Sequence, residues 1–187
     1  GMLHGAMNYP FREIILGLLR KSIKPQEAAE KWMNLKENYP PEAFKSNFNN
    51  IGTHDTERIL TALNQNVAKL KQALLLLFVL PGVPSLYYGD EVGLYGTNQG
   101  TSGVDQNVRI PIQWGDFSNM DCSVINGVTS KFYPYPTVKE QIEDSNSILN
   151  YYKKVLLLRN QNPEIARGTI ELIAKEKEDK KMLFISK

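Results

Sequence analysis

Apolar residues recur at helical spacing near the start of the chain. Phe11, Ile14, Ile15, Leu18 and Leu19 follow Pro10, a residue tolerated in the first turn of a helix, and predict a helix over 10–20. A second helix opens at Lys24-Pro25, sets Ala28, Ala29, Trp32 and Met33 on its apolar face, and is stopped by Pro40-Pro41. The asparagine-rich segment 46–51, whose apolar members are Phe48 and Ile51, predicts a short strand. Asp55 or Thr56 is placed to cap a helix running to about Asn64, and Asn66 to cap another ending near Leu80, where Gly82 and Pro84 close it. The apolar and aromatic run 83–88 predicts a buried strand. A loop rich in Gly, Asn, Asp, Ser and Pro fills 89 to about 136, and such length in a compact domain points to function or mobility. A long helix is expected over 138–160, with Ile142, Ile148, Leu149, Tyr152, Val155 and Leu156 facing inward. Strands at 169–174 and 182–185, joined by the charged turn 175–181, complete the chain as a hairpin.

Helices alternating with strands imply an α/β protein with a parallel sheet, and the terminal hairpin suggests a separate antiparallel module. With 187 residues, 42% of them hydrophobic and 22% charged, the composition is that of a folded globular protein. The 22 basic and 20 acidic residues are interspersed and sum to +2, so no nucleic-acid partner is expected. Ala73 to Leu80, the most apolar run, is far shorter than the ~20 residues a membrane span needs, so it predicts a buried helix and no membrane partner. Cys122 is the single cysteine, which excludes an internal disulfide and fits a reducing compartment. Two histidines far apart and no Asp-x-Asp loop support no metal site, and no cofactor is expected. Gly1 ahead of Met2 reads as a residue left by tag removal, and the N-terminus carries no signal-peptide pattern. A cytoplasmic location is the expectation, with a secreted form left open.

Three segments carry candidate chemistry. The first, 47–56, reads NFNNIGTHDT and sets His54 and Asp55 between a predicted strand and a predicted helix. In a parallel α/β fold, residues at the carboxyl end of a strand face the ligand crevice, where a donor and an acceptor side by side suit a small polar ligand. Taken alone, the pair reads as a helix cap beside a satisfied core histidine; its companions change that reading. The second segment, 80–94, reads LPGVPSLYYGDEVGL and runs from the predicted strand into Gly89, Asp90 and Glu91. The third, 105–114, reads DQNVRIPIQW and places Arg109 and Trp114 in the loop beyond. A guanidinium donates to paired hydroxyls and an indole packs on a pyranose face, so both suit sugar recognition. Of Tyr87 and Tyr88, one is expected in the core and one at the crevice; Trp32 is expected in the core, and Tyr133 and Tyr135 anchor the loop. Glu13, Glu27, Glu30 and Glu37 fall in helical patterns and read as solvated surface.

Together and in this order, the segments resemble the α-amylase family of glycoside hydrolases (glycoside hydrolase family 13), especially its neopullulanase, cyclomaltodextrinase and oligo-α-glucosidase-like branches. NFNNIGTHDT resembles the family's fourth signature region, which ends in His-Asp at the tip of the seventh barrel strand. LPGVPSLYYGDEVGL is similar to the eighth strand with its preceding helix, and VRIPIQW to the Arg-x-Pro-Met-x-Trp loop that follows, with Ile112 in place of methionine. The resemblance implies a partial (β/α)8 barrel over 1–163, about its last three βα units, and the first hairpin of an incomplete C-terminal β-domain over 164–187. It implies that Asp55 is the transition-state-stabilising carboxylate and His54 a ligand of the same sugar. Arg109, Asp90, Glu91, Tyr88 and Trp114 are the further substrate-binding candidates. It also implies that the nucleophile and general acid lie on the fourth and fifth strands, upstream of this segment, so the chain alone is expected to be inactive. The implied partner is an α-glucan oligosaccharide, and the fragment is expected to self-associate through exposed barrel edges. The alternative is a non-catalytic amylase-like scaffold or sugar-binding and assembly domain, against which the intact His54-Asp55 pair argues.

Overall fold

A computed structural model describes residues 5–96, 108–115, 136–168, 171–177 and 180–186. Most of the expected long loop, with Cys122, Tyr133 and Tyr135, lies outside the described residues. The chain forms two compact units: Gly1–Ile51 with Gln72–Ser85 and Val155–Lys187, and Gly52–Lys71 with Leu86–Lys154.

In the first unit, β1 (Met7–Asn8), β2 (Phe48–Asn50) and β3 (Val83–Ser85) form a parallel sheet in the order β1-β2-β3, with Met7, Phe48 and Val83 in register. Parallel neighbours need long crossovers, and helices supply them. Between β1 and β2 run α1 (Tyr9–Arg20), α2 (Pro25–Asn38) and α3 (Pro41–Ser46). Between β2 and β3 run α4 (Ile59–Ala62) and α5 (Val67–Val79). Asn8 caps α1 by accepting from the Phe11 N–H at 3.2 Å. Its amide donates to Asn49 Oδ1 at 2.9 Å, and the Asn49 amide donates to the Pro81 carbonyl at 2.7 Å. Three chain segments are thus joined by buried asparagines whose polarity alone hid this role. Trp32 packs edge-on between Phe11 and Phe44, with ring centroids 5.3 and 5.5 Å away, and is core as expected. Pro41 does more than stop α2, because it opens α3, which the pattern did not predict. The strand expected over 83–88 ends at Ser85, and its last three residues belong to the second unit.

That second unit departs furthest from expectation. The helix predicted from Asp55 begins only at Ile59, and the single helix predicted over 138–160 is two, α6 (Val138–Glu143) and α7 (Ile148–Gln161). Thr137 and Glu140 form a reciprocal capping box on α6. The break follows from Asp144-Ser145-Asn146-Ser147: Asp144 Oδ1 accepts from the Asn146 N–H at 2.8 Å, and Ser147 Oγ accepts from the Asn150 N–H at 3.1 Å. The Asn150 amide then donates to the carbonyls of Gln141, Ile142 and Asp144, which end α6. Ile142, expected inside, is therefore exposed and Gln141 is buried in its stead. Gln141 donates to the Val92 carbonyl at 2.9 Å and accepts from the Leu149 N–H at 3.1 Å. Val92, Leu94 and Ile110 form a small core with Ile112, Val138 and Leu149 against it. A short α8 (Pro163–Arg167) and the antiparallel pair β4 (Glu171–Lys177) and β5 (Lys180–Ser186) complete the described chain. The hairpin is the one expected, with longer strands.

Candidate active site

Four residues after β2, the turn carrying His54 and Asp55 is closed by threonines. Thr56 Oγ1 accepts from the Thr53 N–H at 2.9 Å, and Thr53 Oγ1 accepts from the Asp55 N–H at 3.2 Å. Because hydroxyls satisfy this backbone, Asp55 is not needed as a helix cap, and its carboxylate points outward. His54 Nε2 lies 3.2 Å and Arg109 Nη2 3.6 Å from the same oxygen, Asp55 Oδ1. All three side chains are open to solvent, at 61%, 58% and 44% exposure for His54, Asp55 and Arg109. A carboxylate flanked by an imidazole and a guanidinium, with a face left wet, suits a polyhydroxyl ligand better than a buried structural role.

Three residues after Asp55 stands a residue that the apolar pattern did not single out. Arg58 is fully buried. Its guanidinium lies 4.2 Å from the Tyr87 ring centroid and 4.7 Å from that of Tyr88. Nη1 donates to the Tyr88 carbonyl and lies 3.3 Å from Asp90 Oδ1, an ion pair with both side chains out of water. The glycine at 52 belongs to the same construction, since a Cβ there would fall 2.5 Å from Asp90 Oδ2. The available signal was an arginine three residues after Asp55 together with Tyr-Tyr-Gly-Asp, two rings and a carboxylate that suit a buried cation. Hydropathy ranks arginine as surface, so the pattern concealed it.

The tyrosines reach onward. Tyr87 donates its hydroxyl to the Val108 carbonyl at 3.3 Å, and Tyr88 donates to the Ile110 carbonyl at 3.1 Å. These acceptors bracket Arg109. Burial, then hydrogen bonding with Tyr88, push the Tyr87 phenol up to about 12, against the lowering pull of the Arg58 and Arg109 charges. The two rings meet edge-on at 4.8 Å.

The family described as alpha amylase, catalytic domain, matches residues 2–168. The chain belongs to the α-amylase family. It is similar to a maltogenic alpha-amylase of Bacillus acidopullulyticus, 30% identical over 183 residues, which are 97% of this chain and 26% of that protein. A cyclomaltodextrinase of Thermoanaerobacter pseudethanolicus is 30% identical over 164 residues, 87% of this chain and 23% of that protein. Among solved structures, an alpha-amylase from H.orenii superposes with a TM-score of 0.73 at 27% identity, covering 91% of this chain and 34% of that one. The chain thus spans about a quarter to a third of the length of these relatives. The α-amylase (β/α)8 barrel is the expected fold class, and this chain is part of one.

Within this α-amylase segment the candidates separate into two groups. His54, Asp55 and Arg109 come together, as described. Tyr88 has 40% of its surface exposed while its hydroxyl is engaged, so it offers a ligand only a ring. Asp90 is fully enclosed and holds Arg58. Glu91 is half-buried, and its charge helps raise the Tyr152 phenol after burial does so. Trp114 is 67% exposed, and its carbonyl accepts from the Lys139 N–H at 3.2 Å. Ile112, the departure from the family motif, packs against the Val92-Leu94-Ile110 core, where branching is tolerated. Among the described residues no three His, Cys, Asp or Glu side chains gather as metal ligands.

Proposed function

We propose that this chain is part of a retaining glycoside hydrolase or transglycosidase acting on α-glucosidic linkages of starch-like oligosaccharides. Asp55 is its transition-state-stabilising carboxylate and His54 a ligand of the same sugar. The observation that supports this is the exposed Asp55 carboxylate, 3.2 Å from His54 and 3.6 Å from Arg109, in a turn whose backbone does not need it. As the glycosidic bond breaks, positive charge grows at the anomeric carbon and ring oxygen. A carboxylate accepting from the adjacent ring hydroxyls stabilises that charge more than it stabilises the resting sugar, and so lowers the barrier. His54 donates to a hydroxyl of the same residue and orients it, and Trp114 offers an exposed ring to a neighbouring pyranose.

Retention also requires a nucleophile and a general acid with carboxyl groups ~5–5.5 Å apart. We assign these to barrel segments outside residues 1–187, so the isolated chain is inactive. The test is turnover of a chromogenic maltoside by the full-length protein, its Asp55→Asn variant and the isolated chain. Asp55→Asn should lower kcat about a hundred- to thousandfold, the scale seen on removing one transition-state partner. Unchanged turnover in the variant, or turnover by the isolated chain, would count against the assignment.

A further inference from the structure

We propose that Tyr87 and Tyr88, seated on the buried Arg58, are positioning residues that hold Arg109 against the Asp55 carboxylate. This inference rests on the functional reading above and deepens it by naming what keeps that carboxylate in its working geometry. Arg109 lies in a loop, and its exposed side chain sets Nη2 3.6 Å from Asp55 Oδ1. Its backbone, however, is held on both sides. The carbonyl before it, of Val108, accepts from Tyr87, and the carbonyl after it, of Ile110, accepts from Tyr88. Val108 and Ile110 are themselves buried, which fixes the segment from the apolar side as well.

The tyrosines are in turn fixed at their rings. The Arg58 guanidinium lies within 4.7 Å of both centroids, is pinned by Asp90, and donates to the backbone of Tyr88. Arg58 also stands three residues after Asp55 in the chain. One buried cation therefore backs, through two phenols, the loop that carries Arg109. A lysine could not do this, because a planar guanidinium stacks on rings and still donates in its own plane.

Additivity tests the arrangement. In the full-length protein, kcat/KM on a chromogenic maltoside is measured for Tyr87→Phe/Tyr88→Phe, for Arg109→Gln, and for the combination. Removal of the two hydroxyls should lower kcat/KM about tenfold, carried by kcat, with the melting temperature nearly retained. In the Arg109→Gln background the same removal should cost less than about twofold, since the phenols then have no guanidinium to place. Fully additive effects, or no loss in the double phenylalanine variant, would overturn the proposal. Asp55→Asn run alongside separates the two readings. A large loss there with additive tyrosine effects defeats the positioning role alone, whereas unchanged turnover there defeats both.

Discussion

Tyr87 is desolvated by burial, which opposes ionisation of its phenol more strongly than the nearby Arg58 charge favours it. Tyr87 is raised to about 12 chiefly by burial, so in the folded protein its neutral form is favoured. A group with a raised folded pKa contributes stability in full below its unfolded value and loses it as pH climbs through the folded one. Stability should therefore fall between about pH 10 and 12, and absorbance titration of the 9 tyrosines should show a late component that Tyr87→Phe diminishes, with the raised Tyr151 and Tyr152 left in it. Disappearance of the late component only with unfolding would locate the shift elsewhere. Asp90→Asn makes a harsher demand, for it leaves the Arg58 charge buried without its counterion. A loss of about 3–5 kcal/mol is expected in urea denaturation. The residue scale also marks how far sequence reached. His54, Asp55 and Arg109 stood out through polarity at chain positions flanked by regular elements, and the structure brings them together. Asp90 was legible as a motif but not as a buried partner, because burial of a charge depends on a cation that arrives from 32 residues away.

Between elements, capping decided what apolar spacing could not. Ile142, Ile148 and Leu149 keep helical periodicity across 138–160, yet the Asp144–Ser147 turn supplies an acceptor, a cap and a new helix start within four residues. Periodicity counts apolar side chains and is blind to such local competition for backbone donors. β2 and β3 were legible for the opposite reason: the short segments 46–51 and 83–88, set between predicted helices, leave few alternatives. Glu140 offers a test of the α6 cap. The Thr137 N–H, first, and its hydroxyl hold the Glu140 carboxyl below its usual range. A depressed folded pKa contributes stability above the unfolded value that fades as pH falls through the folded one. Glu140→Gln should thus melt lower than the parent at pH 7, and the gap should close under acid. A gap that persists at low pH would mean the charge is not what the cap uses.

At the scale of the whole molecule, Met7, Phe48 and Val83 lie in register across the sheet, each more than 40% exposed. Among the described residues β1 and β3 each have one paired edge. An apolar row beside open strand edges favours association. The isolated chain should sediment as dimers or larger species, and Phe48→Lys should shift it toward monomer; a monomeric parent would contradict this. The barrel class was legible because its motifs sit in fixed order along the chain, whereas the boundary between units directly after β3, at Ser85, was not, since contacts rather than composition set it. In the proposed function Asp55 recognises the transition state in preference to the substrate. The most direct measurement compares, in the full-length protein and in Asp55→Asn, the inhibition constant of a cationic half-chair sugar mimic with the dissociation constant of a maltooligosaccharide. In Asp55→Asn the mimic should lose affinity about a hundredfold or more while the oligosaccharide changes by only a few fold. Equal losses for both ligands would contradict it.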